Sequence, residues 1–128
     1  MNWDNYFKDY NVKTAHSYLT DMDQSLAVAT KGLLFIEVAS FDYQDDDNHH
    51  IFRTRFSVRS KSLGNYGFEI LTVDEPISGR WPVTIENSFT MEKITSTEEE
   101  FLNNIQMVIE THIIKKKIEN LFSQSLNK

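Results

Sequence analysis

The densest group of potential metal ligands lies in one polar run, residues 45–50, which reads Asp-Asp-Asp-Asn-His-His. Carboxylate oxygens suit Mg²⁺ and Ca²⁺, and imidazole nitrogens suit Zn²⁺. The spacing matches no calcium-binding loop, because the run lacks a glycine at the required bend and a bidentate glutamate downstream. We therefore expect a solvated hairpin tip, with a metal site as the alternative. The candidate ligands are Asp45, Asp47, His49 and His50.

No motif identifies a catalytic centre. Cysteine is absent, which excludes disulfides, thiolate catalysis and Cys-based zinc sites. The other two histidines, His16 and His112, belong to no HExxH pattern, and no serine lies in a G-x-S-x-G elbow. The four glycines have the wrong spacings for a phosphate-binding loop. The sequence therefore predicts no enzyme and no cofactor, although a triad of residues distant in the chain would leave no such motif.

The charge balance limits the classes of partner. The 128 residues carry a net charge of -6, whereas a nucleic-acid-binding surface needs clustered Lys and Arg. We expect no nucleic-acid partner and leave a basic protein partner open. No apolar run approaches the roughly 20 residues of a membrane span, and no signal peptide is visible. The expected location is therefore the cytoplasm, without membrane association.

Residues 33–73 predict three consecutive antiparallel strands. The middle strand alternates most regularly, with a period of two that is typical of a half-buried strand. Its predicted core face is Phe52, Thr54, Phe56 and Val58. Pairing Ile36 with Phe56 aligns the core faces of the first two strands and sets Glu37 opposite Arg55. A two-residue slip keeps the same faces and stays an alternative. Parity then places three residues of the third strand on the core face: Tyr66, Phe68 and Ile70.

The N-terminal residues predict a pair of helices. Four aromatic side chains recur at the spacing of one helical face; these are Trp3, Tyr6, Phe7 and Tyr10. They pack on the core of the chain or, alternatively, form a partner or dimer surface. A second helix is predicted from an N-cap at Thr14 to a C-terminus just before Gly32.

The C-terminal residues predict a third helix. Residues 96–100 form a capping-box start, with three glutamates that complement the helix dipole. The apolar stripe then takes a step of five residues, from Ile109 to Ile114, which fits neither three nor four. We therefore expect a kink or a break near Thr111 and His112.

Helices at both ends of one block of strands predict an α+β fold, as a two-layer sandwich in a single domain of residues 1–128. A fourth strand is expected at residues 81–85, and a fifth extended piece at residues 89–94. Pro82 cannot donate to a ladder, so the fourth strand lies at an edge or Pro82 lies at its start.

The solvated face of this sheet mixes arginines with apolar residues. Arginine beside aromatic side chains is typical of the centre of a protein interface. The alternative is an ordinary solvated face with cross-strand ion pairs. The candidate contact residues are Arg53, Arg55, Arg59, Glu37, Glu69, Phe35, Phe41 and Leu71.

Small size, acidity and the lack of cysteine and catalytic motifs are the profile of intracellular proteins that act by contact, such as immunity proteins, inhibitors or dedicated chaperones. Acidic patches around Asp42 and at residues 98–100 would steer a basic protein partner. One alternative is a metal-dependent enzyme or ligand-binding domain that uses residues 45–50. The other is a homo-oligomeric subunit, in the simplest case a homodimer, joined through the aromatic helix or an exposed strand edge.

Overall fold

A computed structural model describes residues 15–77 and 81–127, with side chains from residue 19 onward. The described residues form three helices and one five-stranded antiparallel sheet, which is the α+β fold that the sequence predicts. The predicted aromatic helix at residues 3–10 lies outside the described residues. The strands follow one another in chain order as a meander. The elements are α1 (Ala15–Ala29), β1 (Leu34–Gln44), β2 (His50–Ser60), β3 (Tyr66–Pro76), β4 (Val83–Asn87), β5 (Lys93–Ser96), α2 (Glu98–Ile109) and α3 (His112–Leu126).

Helix α1 ends at Ala29, two residues before the predicted C-terminus, and is connected directly to β1. Gly32 has a φ of 80°, and its N–H donates to the Ala27 carbonyl at 2.8 Å, which satisfies a free carbonyl of the last turn. The Thr30 hydroxyl donates to the Leu26 carbonyl at 2.9 Å and accepts the Leu34 N–H at 3.1 Å. The same threonine therefore ends the helix and starts the strand.

The predicted break between the C-terminal helices is confirmed. Helix α2 ends at Ile109, and Thr111 takes an extended conformation before α3 begins at His112. The Thr111 hydroxyl donates to the Val108 carbonyl at 2.8 Å, so this residue caps the end of α2. At the start of α2 the Thr97 hydroxyl bonds the Glu100 carboxylate at 2.9 Å, and the predicted capping of a backbone N–H by that hydroxyl is absent.

The predicted faces of β1 and β2 are confirmed, but the predicted register is wrong by two residues. Ile36 lies opposite Val58 and Glu37 lies opposite Ser57. The hairpin turn decides this register, because the Asp45 N–H donates to the His49 carbonyl at 3.0 Å and so fixes where the two strands meet. A cross-strand ion pair, which contributes roughly 0.2–1 kcal/mol, cannot override the geometry of the turn.

A β-bulge in β3 overturns part of the predicted face assignment. Ser57 pairs with Glu69 while Phe56 pairs with Leu71, so Ile70 is an extra residue in the ladder. An inserted residue reverses the alternation beyond it, and Ile70 and Leu71 are consequently both fully buried. The prediction that Leu71 lies on the solvated face is therefore wrong. Val73, two residues further along β3, is also buried.

Within β3 the predicted core face holds for Phe68 and Ile70, and Tyr66 lies on the same side of the sheet without being buried. Phe68 packs against the core and Ile70 belongs to it. Tyr66 is 64% exposed, because it lies at the first residue of the strand and lines an open surface crevice beside α3.

The fourth and fifth strands form as predicted, with shifted bounds. Strand β4 begins directly after Pro82 and lies between β3 and β5, so the proline is at the strand start and not on an edge strand. The Trp81–Pro82 peptide bond is cis. Strand β5 begins at Lys93, and Phe89 lies in the turn that precedes it.

All three helices contribute to one buried cluster with the core face of the sheet. Leu19 comes from α1, Phe101 from α2 and Leu121 from α3, and each is at most 2% exposed. The sheet residues in this cluster are Leu34, Ile36, Phe56, Val58, Ile70, Leu71, Val73, Val83 and Ile85. Among the described residues, no helix is long and apolar enough to cross a membrane.

Candidate protein-binding face of the sheet

We define the outer face as the side of the sheet that points away from this core. On β1 and β2 it carries the odd-numbered residues, and on β3 beyond the bulge it carries the even-numbered residues. Each of the three predicted arginines lies on this face, and each has an acidic partner within 4 Å. What differs between them is how the neighbouring aromatic rings are arranged.

Arg53 is held in a closed hydrogen-bonded group with Asp74 and Tyr43. Its Nε donates to Asp74 Oδ1 at 2.7 Å and its second guanidinium nitrogen donates to Asp74 Oδ2 at 2.8 Å. The same nitrogen donates to the Tyr43 hydroxyl at 3.1 Å, and that hydroxyl donates to Asp74 Oδ2 at 3.2 Å. A bidentate arginine–carboxylate pair fixes orientation as well as contributing energy. The guanidinium is therefore immobilised at the surface of the sheet.

This group also shifts the ionisation of its members. The hydrogen bond that Arg53 donates to Asp74 raises the pKa of Arg53 above its already high ordinary value. Burial, followed by the negative charge of Asp74, raises the pKa of the Tyr43 phenol. At neutral pH the arginine is therefore charged and the phenol is protonated, which is the state in which every bond of the group can form.

Two arginine–aromatic stacks lie side by side on this part of the face. The guanidinium carbon of Arg53 lies 4.9 Å from the centre of the Tyr43 ring, and that of Arg55 lies 4.9 Å from the centre of the Phe41 ring. The two rings are 6.3 Å apart. Arg55 is about half exposed, with its Nε 3.7 Å from a Glu69 carboxylate oxygen. We call these four residues the aromatic–arginine patch: Phe41, Tyr43, Arg53 and Arg55.

The other end of the outer face is an ordinary solvated surface. Arg59 Nε lies 3.2 Å from Glu37 Oε1, and Arg59 also donates to the Asn65 carbonyl at 3.3 Å. Phe35 is half-buried, with the Lys61 ammonium 5.9 Å from its ring centre. Here Arg59 forms the kind of cross-strand ion pair that the alternative interpretation of the sequence expects, although its buried Nε makes no hydrogen bond.

The structure therefore brings together only part of the predicted set. Phe41, Arg53 and Arg55 meet in the patch, while Glu69 supports its edge through Arg55 and accepts a hydrogen bond from Ser88 at 3.0 Å. Glu37, Arg59 and Phe35 lie at the far end, and Leu71 is in the core.

Sequence reasoning missed two members of this group, Tyr43 and Asp74. Tyr43 is not among the predicted contact residues, although the alternation of β1 continues through Phe41 to Tyr43 and could have extended the strand. Asp74 is not among them either, because it follows directly after residue 73, where the predicted third strand ends. Only the bulge brings the Asp74 side chain to the outer face, and no pattern in the sequence indicates that bulge.

The candidate metal ligands come together only in part. Ligand atoms of Asp45, Asp47 and His49 lie within 4.8 Å of one another, and all three residues are at or near the surface. His50 is not in this group; its Nε2 lies 3.3 Å from the side-chain nitrogen of Gln44.

The Asp45 carboxylate already has a structural role in the turn. Its Oδ1 accepts the backbone N–H of Asp47 at 3.0 Å and that of His49 at 2.9 Å. The hydrogen bond from His49 is the main reason that the pKa of Asp45 is lowered. These bonds explain why an aspartate occupies this position without any ion, and the metal site stays a prediction.

Comparison with known proteins adds no relative from which a role could be transferred. No protein family, curated sequence or solved structure matches this chain at a significant level.

Proposed function

We propose that this chain is a small acidic intracellular module that binds another protein and acts by contact, in the manner of an immunity protein, an inhibitor or a dedicated chaperone. The observation that carries the proposal is the aromatic–arginine patch. Phe41 is 39% exposed, and Arg55 stacks on it beside the fixed Arg53–Asp74–Tyr43 group. Aromatic and arginine side chains are the residue types that dominate binding energy at interface centres.

Preorganisation favours this role for the patch. Ordering a long side chain at an interface costs roughly 0.5–1.5 kcal/mol. Arg53 and Tyr43 are already held by Asp74, so a partner that docks on them loses little further side-chain entropy. The patch presents flat rings and guanidinium groups, to which backbone carbonyls or carboxylates of a partner can bind.

Charge favours a basic partner. The positive charges of Arg53 and Arg55 are balanced by Asp74 and Glu69, so the patch adds little net field of its own. The adjoining hairpin carries exposed acidic residues at Asp42, Asp46 and Asp47, and the whole chain has a net charge of -6. Such a field would accelerate encounter with a basic surface, while the patch supplies the contact.

Two arginines on the same face provide a matched test. Arg55 and Arg59 each pair with a glutamate, but only Arg55 belongs to the patch. Tagged protein is used to capture its partner from native cells, and the affinity of the purified partner is then measured for Arg55→Ala and Arg59→Ala. Loss of a central contact of at least about 2 kcal/mol weakens binding roughly thirtyfold. We expect that loss for Arg55→Ala and less than a threefold change for Arg59→Ala. Equal effects, or no effect of Arg55→Ala in a folded protein, would exclude the patch.

The grouping of Asp45, Asp47 and His49 supports one second candidate, a metal-dependent ligand-binding domain or enzyme. A cation bound only by the folded state raises the melting temperature. A rise with Zn²⁺, Mg²⁺, Mn²⁺ or Ca²⁺ that Asp47→Ala together with His49→Ala removes would favour this candidate, and a flat response to all four would end it.

A further inference from the structure

Strand β1 is an edge of the sheet, and alternate residues along it direct their backbone groups away from β2. The Asp45 N–H donates to the His49 carbonyl, and the Lys61 N–H donates to the Leu33 carbonyl. Both bonds join odd-numbered residues, one on each side of β1, to the residues that flank β2. In an antiparallel ladder the intervening residues point outward. The outward N–H and C=O groups of β1 therefore belong to its even-numbered residues.

Helix α1 and Thr30, the residue that follows it, satisfy the outward N–H groups in the first part of β1. The Leu34 N–H donates to Thr30 Oγ1 at 3.1 Å, and the Ile36 N–H donates to Asp23 Oδ1 at 2.6 Å. Beyond Ile36 this cover ends. No described residue makes a hydrogen bond to the outward backbone groups of the remaining even-numbered residues, which are Val38, Ser40, Asp42 and Gln44.

The free part of the edge, residues 38–44, lacks the features that keep a strand edge solitary. Those features are short length, charged side chains (lysine above all), proline and bulges. Residues 38–44 contain neither lysine nor proline, Asp42 is their single charged residue, and the pairing of β1 with β2 is unbroken along the whole strand. The opposite edge differs, because β5 has only four residues and begins with Lys93.

We propose that residues 38–44 pair antiparallel with the same residues of a second copy, about a two-fold axis at Phe41, and that the sheet continues across the dimer. This register sets Val38 opposite Gln44 of the second copy and Ser40 opposite its Asp42. In each of these pairs, the outward N–H and C=O groups of one residue form hydrogen bonds with those of the residue opposite. The proposal is independent of the protein-binding role of the patch.

The neighbouring registers are each blocked by an observed feature. A two-fold axis at Ser40 would require the Ile36 N–H, which already donates to Asp23. A two-fold axis at Asp42 would set two aspartates directly opposite each other, which is destabilising. With the axis at Phe41, the part of β1 that α1 covers lies beyond the end of the partner strand. Residues 38–44 of one copy therefore lie opposite residues 38–44 of the other along their whole length.

The side chains at the centre also suit a second copy. The two Phe41 residues form a non-hydrogen-bonded pair, the arrangement in which opposing side chains approach most closely. Aromatic cross-strand pairs stabilise antiparallel strands, and Phe41 is partly exposed in the single chain. The pairing also joins the two aromatic–arginine patches into one surface.

A substitution at Ser40 tests whether the outward backbone N–H of this residue is needed for dimerisation. Ser40→Pro removes the outward N–H and leaves the bonds of β1 to β2 in place. Ser40→Ala is the matched control, because it also removes the hydroxyl that contacts Thr54 at 3.2 Å but keeps the N–H. Light scattering of the full chain over a hundredfold concentration range should show dimers for the wild type and Ser40→Ala, and monomers for a folded Ser40→Pro. A wild-type monomer throughout, or an unchanged Ser40→Pro dimer, would overturn the proposal.

Cysteine cross-linking tests the register, since the chain has no cysteine of its own. The Cα atoms of a non-hydrogen-bonded pair are about 4.5 Å apart, within the range that a disulfide spans. We expect Phe41→Cys to form a disulfide dimer on mild oxidation. Ala39→Cys should not, because four residues of offset separate its two copies by roughly 13 Å. Preferential cross-linking of Ala39→Cys would show that the register is wrong.

Discussion

At the scale of single residues, the rigidity of the outer face depends on the carboxylate with which each arginine pairs. Arg53 has Asp74 as a bidentate partner and Tyr43 as a third member, and all three are half-buried. Arg59 has only the exposed Glu37 beside it, along with one backbone carbonyl. Exposed ion pairs contribute little, whereas bidentate pairs in a partly desolvated setting hold their geometry. This difference gives the patch a rigid frame that the far end of the face lacks.

Tyr43 makes this frame sensitive to alkaline pH. Its pKa is raised above the ordinary value of 10.0, because burial and Asp74 favour the neutral phenol. The protonated phenol therefore makes its full contribution to the free energy of unfolding below the ordinary pKa. This contribution is lost as the pH rises through the raised pKa of the folded state. We expect the free energy of unfolding to fall above about pH 10, and Tyr43→Phe to flatten that fall.

Urea unfolding at a series of alkaline pH values measures this effect. Tyr66→Phe is the control, since it removes a phenol from an exposed site outside the patch. If Tyr43→Phe and Tyr66→Phe change the alkaline curve equally, the Arg53–Asp74–Tyr43 group does not account for it.

At the scale of elements, the pairing of β2 with β3 determines most of what the outer face carries. The bulge at Ile70 moves Leu71 and Val73 into the core and brings Thr72 and Asp74 to the outer face. Before the bulge the two strands approach closely at Gly67. A Cβ built there would overlap the Val58 carbonyl oxygen and the Arg59 backbone, so a side chain at this position would push the strands apart.

Gly67→Ala is therefore expected to destabilise the fold by roughly 3 kcal/mol or more, because the clash is with backbone and cannot be relieved by a rotamer change. Gly64→Ala is a useful comparison. Gly64 has a φ of 66° but open space around its Cβ position, so its substitution costs roughly 1–2 kcal/mol of backbone strain. Chemical denaturation of both variants measures the difference, and a smaller loss for Gly67→Ala would contradict the close approach.

At the scale of the whole molecule, the three described helices share one core cluster with the sheet, and no described helix residue contributes a hydrogen bond to the outward backbone groups of residues 38–44. Between α1, the sheet and the C-terminal helices lies an apolar crevice of about 230 Å³, lined by residues such as Met22, Ile36 and Ile118. The two candidate interfaces lie away from it, and they adjoin each other at Phe41.

Net charge should oppose association of two copies. Each chain carries -6, and raising the salt concentration from about 0.05 M to about 0.5 M shortens the Debye length well below the size of the protein. We expect the dimer to tighten with salt, measured by sedimentation equilibrium, while Ser40→Pro stays monomeric at both concentrations. Dissociation by salt would mean that ion pairs hold the dimer together in place of the backbone pairing.

Much of the architecture was predictable from local pattern. The alternation of residues 52–58 identifies the core face of β2, and the five-residue step after Ile109 identifies the break between α2 and α3. Both signals are strong because the apolar side chains must be buried. The period of the strand or helix then determines which residues share the buried face. Of the candidate contact residues, the arginines and Phe41 were identifiable for the same reason, since alternation assigns the face opposite the core.

The sequence alone therefore determined the class of fold, the order of its elements and the face on which the arginines lie. The tertiary structure decided the two-residue register of the first hairpin, the bulge at Ile70 and the partners of each arginine. A two-residue slip leaves the same side chains on each face, so the hydrophobic pattern cannot distinguish the two registers. The geometry of the turn at residues 45–49 determines which register forms. A bulge adds one residue without altering composition or hydrophobicity, so only the paired strands reveal that Asp74 reaches Arg53 while Leu71 is buried.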